Sequence, residues 1–313
     1  MRTVRQLGEV GLIGRLRQRL RRPASVVVGI GDDAAVVRLD RGQWWLLASD
    51  MLVEGVHFRL PAPRARQAGR LGVVPAQWIG WKALACNVSD IAAMGGVPRW
   101  AVISLGLPPT TPVAWVDRVY AGLERCARRF GVAIVGGDTV RAPRLIIDVA
   151  IVGSAHPARL VRRSGARVGD HLFVTGRLGG SYRSGRHARF IPRLREAHAL
   201  LRRVQVHAMM DLSDGLACDA WQMSRASGVT LRIQAARVPR APAARTLTHA
   251  LTDGEDFELL FAVPPEAVPR LPARLGRTPV TRIGAVVARG VGVELESPDG
   301  RIEPLAPIGF RHF

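Results

Sequence analysis

Aspartates recur along this chain beside glycine, alanine and serine, where a short apolar run ends or a helix begins. They are Asp32, Asp33, Asp50, Asp90, Asp138, Asp211 and Asp214. A carboxylate in such a setting is costly to ionise unless a cation holds it. Oxygen ligands without cysteine or histidine favour Mg²⁺ or Mn²⁺, and carboxylate-bound Mg²⁺ usually completes its coordination with phosphates and water. The set therefore predicts a nucleotide bound through Mg²⁺, and phosphoryl transfer or ATP-driven ligation.

The phosphate-binding motifs of the common ATP-binding folds are not in this sequence. It contains neither the P-loop pattern G-x-x-x-x-G-K-[ST] nor the H-R-D and D-F-G pair of protein kinases. Gly29-Ile30-Gly31 begins like a dinucleotide fingerprint, but the two acids that follow would repel a bare pyrophosphate. We therefore expect the nucleotide to bind through metal ions.

The elements that carry the aspartates can be read from hydrophobic periodicity. Apolar residues at i, i+4 and i+7 predict a helix over 78–94, which carries Asp90 and ends at Gly95. By itself Asp90 could equally cap a neighbouring loop, and the recurring pattern is what favours a metal ligand. Strands predicted over 44–48 and 132–135 would each deliver an aspartate at their ends.

The second half of the chain also places aspartates beside serine and glycine. A helix is predicted to open at 209–216 and to run to Ser227, so that Ser213-Asp214 would match Ser89-Asp90 of the first half. The glycine-rich segment 176–181 is a candidate phosphate loop, while 59–77 and 183–203 are expected to be irregular. A domain boundary is predicted near His156-Pro157.

Composition narrows the class of protein. The 313 residues carry a formal net charge of +20, which suggests an anionic partner. Lys82 is the only lysine among the 45 basic residues, and an arginine excess of this kind can reflect codon composition. Aromatic residues are only 5% of the chain and are not interleaved with basic ones, so a phosphorylated substrate is favoured over nucleic acid. A non-catalytic, arginine-rich RNA-binding protein stays as the alternative of another class.

The three cysteines are too few and too scattered for a disulfide framework or a zinc site. No apolar run reaches the roughly 18 residues that a membrane span needs. The N-terminal arginine-rich segment reads as an amphipathic helix rather than a secretory signal. We therefore expect a cytoplasmic protein.

Several short motifs follow one another along nearly the whole chain. They are GIGDDAAVV from Gly29, SDMLVEGVHF from Ser49, WKALACNVSDIAAMGGVP from Trp81, GGDTVRAP from Gly136, RRSGARVGD from Arg162, MMDLSDGL from Met209, GEDFELLF from Gly254 and the terminal GFRHF. Any one motif is a weak signal, but the ordered set resembles the thiamine-monophosphate kinases. That family belongs to the superfamily of aminoimidazole ribonucleotide synthetase and selenophosphate synthetase.

The resemblance implies a two-domain α/β fold. Residues 1–155 would form a mixed α/β domain that dimerises and binds ATP and Mg²⁺. Residues 156–313 would form a second α/β domain that closes over nucleotide and substrate. The resemblance also implies a homodimer with ATP at the subunit interface, several Mg²⁺ ions, and thiamine monophosphate as the substrate.

Roles for individual residues also follow from the resemblance. The implied metal ligands are Asp33, Ser49, Asp50, Asp90, Asp138, Asp211 and Asp214. The implied nucleotide contacts are Gly137, Asp138, Arg163 and Ser213. The implied substrate contacts are His57, Glu255 and Phe310, with Phe310 stacked on an aromatic ring of the substrate. Asp138, Arg163 and Asp214 are the residues expected to serve the transfer step.

The expected chemistry is direct in-line transfer from ATP to a phosphate monoester. Because that acceptor is already largely ionised near neutral pH, no strong general base is needed, and no phosphoenzyme is required. Catalysis would consist of positioning and of charge neutralisation by Mg²⁺ and an arginine such as Arg163.

Some positions depart from the family pattern. Asp253 stands where the family has a glycine, and Tyr182 and Arg183 stand where it has small and apolar residues. The segments 185–195 and 235–248 are shorter than in the family. These departures lie on the substrate side and support an alternative, a related ATP- and Mg²⁺-dependent enzyme acting on another phosphate or carboxylate substrate.

Overall fold

The computed structural model describes residues 3–39, 42–60 and 73–312, which form two β-sheets with helices packed against them. The predicted loop over 59–77 falls largely on residues 61–72, outside the described residues. Its last two residues, Ala76 and Gln77, begin a helix.

Among its described residues, the first half contains six strands and four α-helices. They are α1 (Val4–Leu7), α2 (Glu9–Arg19), β1 (Val26–Val28), β2 (Ala35–Arg38), β3 (Trp44–Val53), α3 (Ala76–Ala93), β4 (Val97–Leu107), α4 (Val113–Phe130), β5 (Ala133–Arg141) and β6 (Ile146–Ala155). The sheet order is β1-β2-β3-β6-β4-β5. Of the strand pairs described in this sheet, β4 with β5 is the parallel one, because α4 connects these two strands as a crossover.

The second half builds a mixed sheet with the order β14-β13-β9-β12-β7-β10-β8, and β11 pairs with β12 outside this path. Its elements are β7 (His171–Thr175), α5 (Ser181–Ser184), α6 (Leu194–Leu201), β8 (Ala208–Asp211), α7 (Leu216–Ser227), β9 (Val229–Gln234), α8 (Leu247–Thr252), β10 (Leu259–Val263), β11 (Arg274–Leu275), β12 (Thr278–Arg289), β13 (Gly292–Glu296) and β14 (Ile302–Pro304). The predicted hairpin over 291–305 is confirmed, since β13 and β14 pair antiparallel.

Helix α3 lies at the centre of the molecule. It contacts β3 and β6 of the first sheet, helix α4, and α6 and β8 of the second half. Most of its residues are buried, because it is covered on more than one side. Two glycines let α3 and α4 approach closely: a Cβ at Gly80 would lie 1.9 Å from the Val119 carbonyl oxygen, and one at Gly122 would lie 1.9 Å from that of Gln77. The close packing of α3 fixes the position of Asp90 relative to the two sheets.

The helix predicted over 78–94 is confirmed, and it ends at Gly95 in the left-handed region with φ of 72°. Other predicted bounds were wrong. β3 extends to Val53 and β5 extends to Arg141, so Asp50 and Asp138 lie within strands rather than at their ends. Both strands continue because β6 and β4 provide pairing partners along their whole length.

Three expectations for the second half were also wrong. Residues 209–211 belong to strand β8, because they pair with β10. The Ser89-Asp90 pair lies inside α3, whereas Ser213-Asp214 lies in the loop before α7, so the two pairs are not equivalent. The segment 183–203 contains helix α6, which buries Leu194, Ala197 and Leu200.

The face of the first sheet opposite α3 and α4 exposes large apolar side chains. They are Leu47, Met51, Trp100, Val102, Val135 and Val140, each at least 40% exposed. None of the helices within the described residues combines the length and the apolar character that crossing a membrane requires. The predicted division of the chain at 155 and 156 stays a prediction.

Candidate active site

Three carboxylates from separate parts of the chain meet beside α3. Asp33 lies in the turn between β1 and β2, Asp90 lies on α3, and Asp211 ends β8. One ligand oxygen from each lies within 4.8 Å of the other two. Ser89 on α3 donates a hydrogen bond to Asp211 Oδ2, which ties the second half of the molecule to the helix.

Burial makes these carboxylates hard to ionise. It raises the pKa of Asp211 to about 8, with a further contribution from Asp33. Burial also raises the pKa of Asp90 well above its usual value, as do the neighbouring Asp50 and Asp211. Among the described residues, none donates a hydrogen bond to the buried Oδ2 of Asp33. Clustered oxygen donors, high pKa values and an unpartnered carboxylate oxygen fit a hard divalent cation such as Mg²⁺.

Arg163 holds the acidic turn in place. Its Nη2 donates to Asp33 Oδ1 at 2.6 Å, and its backbone N–H donates to Asp32 Oδ1 at 3.1 Å. Burial and the charge of Asp33 raise the pKa of Asp32 to about 6 despite the guanidinium. Arg163, predicted from the sequence as a nucleotide contact, is thus already engaged by two carboxylates of its own chain.

Strand β3 divides its polar side chains between the two faces of the first sheet. Asp50 points toward α3, where it is hydrogen-bonded to Asp90, and burial raises its pKa to about 6. Ser49 points to the open face and donates to Asp148 Oδ1 on β6 at 3.1 Å. Asp148 was not predicted as a site residue, although its pairing opposite Met51 places it beside Ser49.

Asp138 and Gly137 lie apart from the carboxylate group in this chain. Asp138 is exposed on β5 and is paired with Ser104 of β4, which is in turn paired with Asp148. Paired residues point to the same side, so Asp138 shares the open face with Ser49. Three strand spacings of about 4.8 Å separate β5 from β3, which places Asp138 about 14 Å from the strand of Asp50.

A cavity of about 470 Å³ connects the carboxylates to a cluster of rings. The predicted site residues on its wall are Ser49, Asp50, His57, Asp90, Asp211, Ser213, Asp214, Glu255 and Phe310. The structure therefore brings together most of the predicted metal and substrate residues. Asp33 joins them through the carboxylate group, whereas Gly137 and Asp138 do not.

The far end of the cavity is aromatic. The ring centroids of His57 and Phe310 are 6.3 Å apart, and His312 lies 5.2 Å from His57 and 4.8 Å from Phe310. Burial, aided by Lys82 and His312, lowers the pKa of His57 to about 4, so this imidazole is neutral at pH 7. Its Nδ1 accepts the Val53 N–H at 2.9 Å, which leaves the proton on Nε2.

The loop before α7 is held by buried contacts. Asp219 accepts hydrogen bonds from the N–H groups of Asp214 and Gly215, both at 3.1 Å. The N–H of Phe310 donates to the Asp214 carbonyl at 3.0 Å, so the C-terminal segment is fastened to the same loop. Burial and the nearby Glu9 raise the pKa of Asp214 to about 6. Asp219 was missed because a single acid in a first helical turn looks like an ordinary dipole partner.

The glycine-rich segment 176–181 was wrongly interpreted as a candidate phosphate loop. The Gly179 N–H donates to the carboxylate of Asp256, and the Gly180 N–H donates to Asp253 Oδ2 at 2.8 Å. Its amides are therefore occupied by carboxylates. Asp253, the acid that departs from the family pattern, has a structural partner here.

The fold and the carboxylate group define the class of protein. The N-terminal domain of the AIR synthase related proteins matches residues 31–155, and the C-terminal domain of the same proteins matches residues 167–296. The two-domain α/β architecture expected from the sequence is confirmed.

Within this class, the chain belongs to the thiamine-monophosphate kinase family. It is 39% identical to the thiamine-monophosphate kinase of Rhodopirellula baltica, with 97% of each chain covered. It is 34% identical to that of Escherichia coli, with 98% of each covered. Among solved structures, it resembles AaThiL complexed with AMPPCP and TMP, with a TM-score of 0.83, 33% identity, and coverage of 100% of this chain and 99% of the other.

Proposed function

We propose that this protein transfers the γ-phosphoryl group of ATP to thiamine monophosphate, giving thiamine diphosphate and ADP. The observation that carries the proposal is a single cavity with a carboxylate group at one end and a ring cluster at the other. An elongated substrate with a phosphate and an aromatic end matches both. The family relationship and the likeness to a complex with an ATP analogue and TMP support the same assignment.

Asp33, Asp90 and Asp211 would hold Mg²⁺, with Asp50 and Asp214 nearby on the cavity wall. Bound there, Mg²⁺ would neutralise phosphate oxygens and orient them. Arg163 keeps the turn that carries Asp33 in place. The Ser89–Asp211 hydrogen bond holds the second half of the molecule against α3.

The residues at the ring end of the cavity would position the substrate. Phe310 and His312 present ring surfaces on which an aromatic substrate can stack. His57 offers a neutral Nε2–H as a hydrogen-bond donor. Because the acceptor phosphate is already ionised, the transfer needs alignment and charge neutralisation rather than a strong base.

The protein would act as a homodimer through the open face of the first sheet. Among the described residues, that face carries six exposed large apolar side chains, and an apolar patch on one face is typical of a protein–protein contact. It also carries Ser49, which borders the cavity, and Asp138, which lies apart from the carboxylate group together with its neighbour Gly137. Pairing two such faces would place these residues at the interface, where nucleotide binding was expected.

The remaining assignments form part of the proposal. Residues 1–155 and 156–313 would act as the ATP-binding and the closing domain. The three cysteines are free and buried, which suits a reducing compartment such as the cytoplasm. Since Asp253 caps the turn at Gly180, it gives no reason to prefer a different substrate.

A steady-state assay with a panel of acceptors tests the proposal. Purified protein, ATP and Mg²⁺ are incubated with thiamine monophosphate, thiamine, or another small phosphate ester, and products are separated by chromatography. We expect thiamine diphosphate and ADP in equal amounts with thiamine monophosphate, no product with thiamine, and slower turnover of other phosphate esters. ATP turnover that requires a different acceptor would overturn the assignment.

A further inference from the structure

Lys82 lies on the cavity wall, yet the mechanism above gives it no role. It is the only lysine of the chain, it is 1% exposed, and it lies on the same face of α3 as Cys86 and Asp90. Eight residues of helix separate Lys82 from Asp90, which corresponds to about 12 Å along the axis. Lys82 therefore lies toward the ring end of the cavity relative to Asp90, in contact with His57 and Glu255.

The partners of Lys82 are fixed. Its Nζ is ion-paired with Glu255 Oε1 and donates to the His57 carbonyl oxygen at 3.1 Å. A buried ammonium without such partners would be very costly, so the contact with Glu255 is a strong constraint on both side chains. The pair joins α3 to a loop 173 residues away in sequence.

That loop is strained. Glu255 and Phe257 have φ of 52° and 49°, values that residues with a side chain seldom adopt. Two backbone hydrogen bonds hold the loop. The Glu255 N–H donates to the Ser213 carbonyl at 2.6 Å, and the Phe257 N–H donates to the Leu212 carbonyl at 2.8 Å. Such strain persists where the surroundings over-determine a conformation, and it is common at ligand sites.

The second oxygen of the carboxylate is unused. No donor among the described residues reaches the buried Oε2 of Glu255, although Glu255 lines the cavity. A buried acceptor of this kind is costly unless a ligand supplies the hydrogen bond. Thiamine monophosphate carries an amino group on its pyrimidine ring, at the end remote from the phosphate.

We propose that Lys82 is a positioning residue that locks Glu255, so that Oε2 accepts a hydrogen bond from the aminopyrimidine end of the substrate. This inference rests on the proposed function and extends it to substrate selection. Lys82 would act on recognition of the ring and leave ATP binding unchanged.

The test compares two acceptors, thiamine monophosphate and the phosphate ester of hydroxyethylthiazole, which lacks the pyrimidine ring. Wild-type protein should favour thiamine monophosphate in kcat/KM. Lys82→Met should raise KM for thiamine monophosphate by about ten- to hundredfold, the effect expected for losing a hydrogen bond to a charged group. KM for ATP and turnover of the thiazole phosphate should change less than about threefold, so that the preference collapses.

Lys82→Met leaves the Glu255 carboxylate buried without its ion-pair partner. A second variant therefore separates a loss of substrate recognition from a loss of folding. In Lys82→Met/Glu255→Gln the pair is neutral, and the double variant should show no larger loss than either single variant, because both act through one contact. Arg193→Met is the matched control. It breaks another largely buried pair, Arg193 with Glu258, which lies outside the cavity wall. It should lower thermal stability without changing the preference between acceptors.

Two results would overturn the inference. One is a Lys82→Met variant that keeps the wild-type preference for thiamine monophosphate. The other is a double variant whose losses multiply, since Lys82 would then act independently of Glu255. A wild-type protein that does not phosphorylate thiamine monophosphate at all would instead reject the proposed function, and the two failures are separated by the wild-type assay.

Discussion

Replacing Asp90 with asparagine should stabilise the metal-free protein and abolish its turnover. Ligand oxygens of Asp33, Asp90 and Asp211 lie within 4.8 Å of one another. At an effective dielectric constant of about 20, two unit charges at that distance repel by about 3.5 kcal/mol. The alternative, keeping the carboxyl protonated at pH 8, about four units above its ordinary pKa, costs about 5.5 kcal/mol.

Asparagine carries neither cost. After subtracting a lost hydrogen bond to Asp50 and some relaxation, we expect the free energy of unfolding without metal to rise by about 2–4 kcal/mol at pH 8. Turnover should fall by at least about a hundredfold, because the predicted cation would lose a carboxylate ligand. Stabilisation combined with loss of activity distinguishes a ligand that is strained without its metal from an ordinary structural residue.

Chemical unfolding with and without Mg²⁺ and ATP provides the assay. A ligand at a hundred times its Kd stabilises the folded state by about 2.7 kcal/mol, so wild-type protein should gain that amount and the variant little of it. Asp117→Asn, on the exposed face of α4, is the matched control and should change neither quantity. Near-normal turnover in Asp90→Asn, or destabilisation without metal, would refute the reasoning.

Three further predictions follow from the same structure. Between pH 6.5 and 8, the metal-free protein should lose on the order of 1–2 kcal/mol of stability, and saturating Mg²⁺ should flatten this slope; urea titrations at each pH measure it. Asp211 determines the sign of this change, because its folded pKa of about 8 lies above its unfolded value. Below about pH 8 the folded state holds a proton that the unfolded state has released, so stability falls as the pH rises. Gly80→Ala should destabilise the protein by about 2 kcal/mol or more in thermal unfolding, because its Cβ would lie 1.9 Å from a carbonyl oxygen of α4. Gly14→Ala, with nothing within 4 Å, is the control and should be neutral or stabilising. Trp100→Glu should convert the proposed dimer to monomers in sedimentation velocity and lower turnover, whereas Val113→Glu, at the exposed first residue of α4, should not.

The carboxylates of the site were predictable because their signal is local. Asp33 and Asp90 stand in small-residue surroundings that make an unpaired charge costly, and Asp211 stands in an apolar segment. The helix around Asp90 and its end at Gly95 follow from periodicity and from the conformational freedom of glycine. Their meeting within 4.8 Å depends on how the two halves pack, which a single sequence does not show.

The faces of the strands were harder to predict. Ser49 and Asp50 are adjacent in sequence but point to opposite sides of β3, and Asp138 lies mid-strand because β5 pairs with β4 along its length. Adjacent side chains alternate between faces, so assigning them requires the true strand bounds and partners. The predicted strand ends therefore grouped residues that the sheet separates.

Contacts distant in sequence were not predictable at all. Lys82 was notable only as the sole lysine, and its pairing with Glu255 exists because α3 and the strained loop pack together. The turn at Gly180 resembles a phosphate loop in sequence, but its backbone N–H groups donate to the carboxylates of Asp253 and Asp256. In both cases the partner that decides the role lies more than seventy residues away.

Direct transfer of the γ-phosphoryl group is the central claim, and a single-turnover experiment with γ-labelled ATP tests it most directly. Excess protein is mixed with labelled ATP, Mg²⁺ and thiamine monophosphate, and the reaction is quenched over its time course. We predict that the label passes from ATP to the terminal phosphate of thiamine diphosphate in a single phase, with one product formed for each ADP and no labelled protein. Label released as inorganic phosphate, or retained covalently on the protein before product appears, would contradict the account.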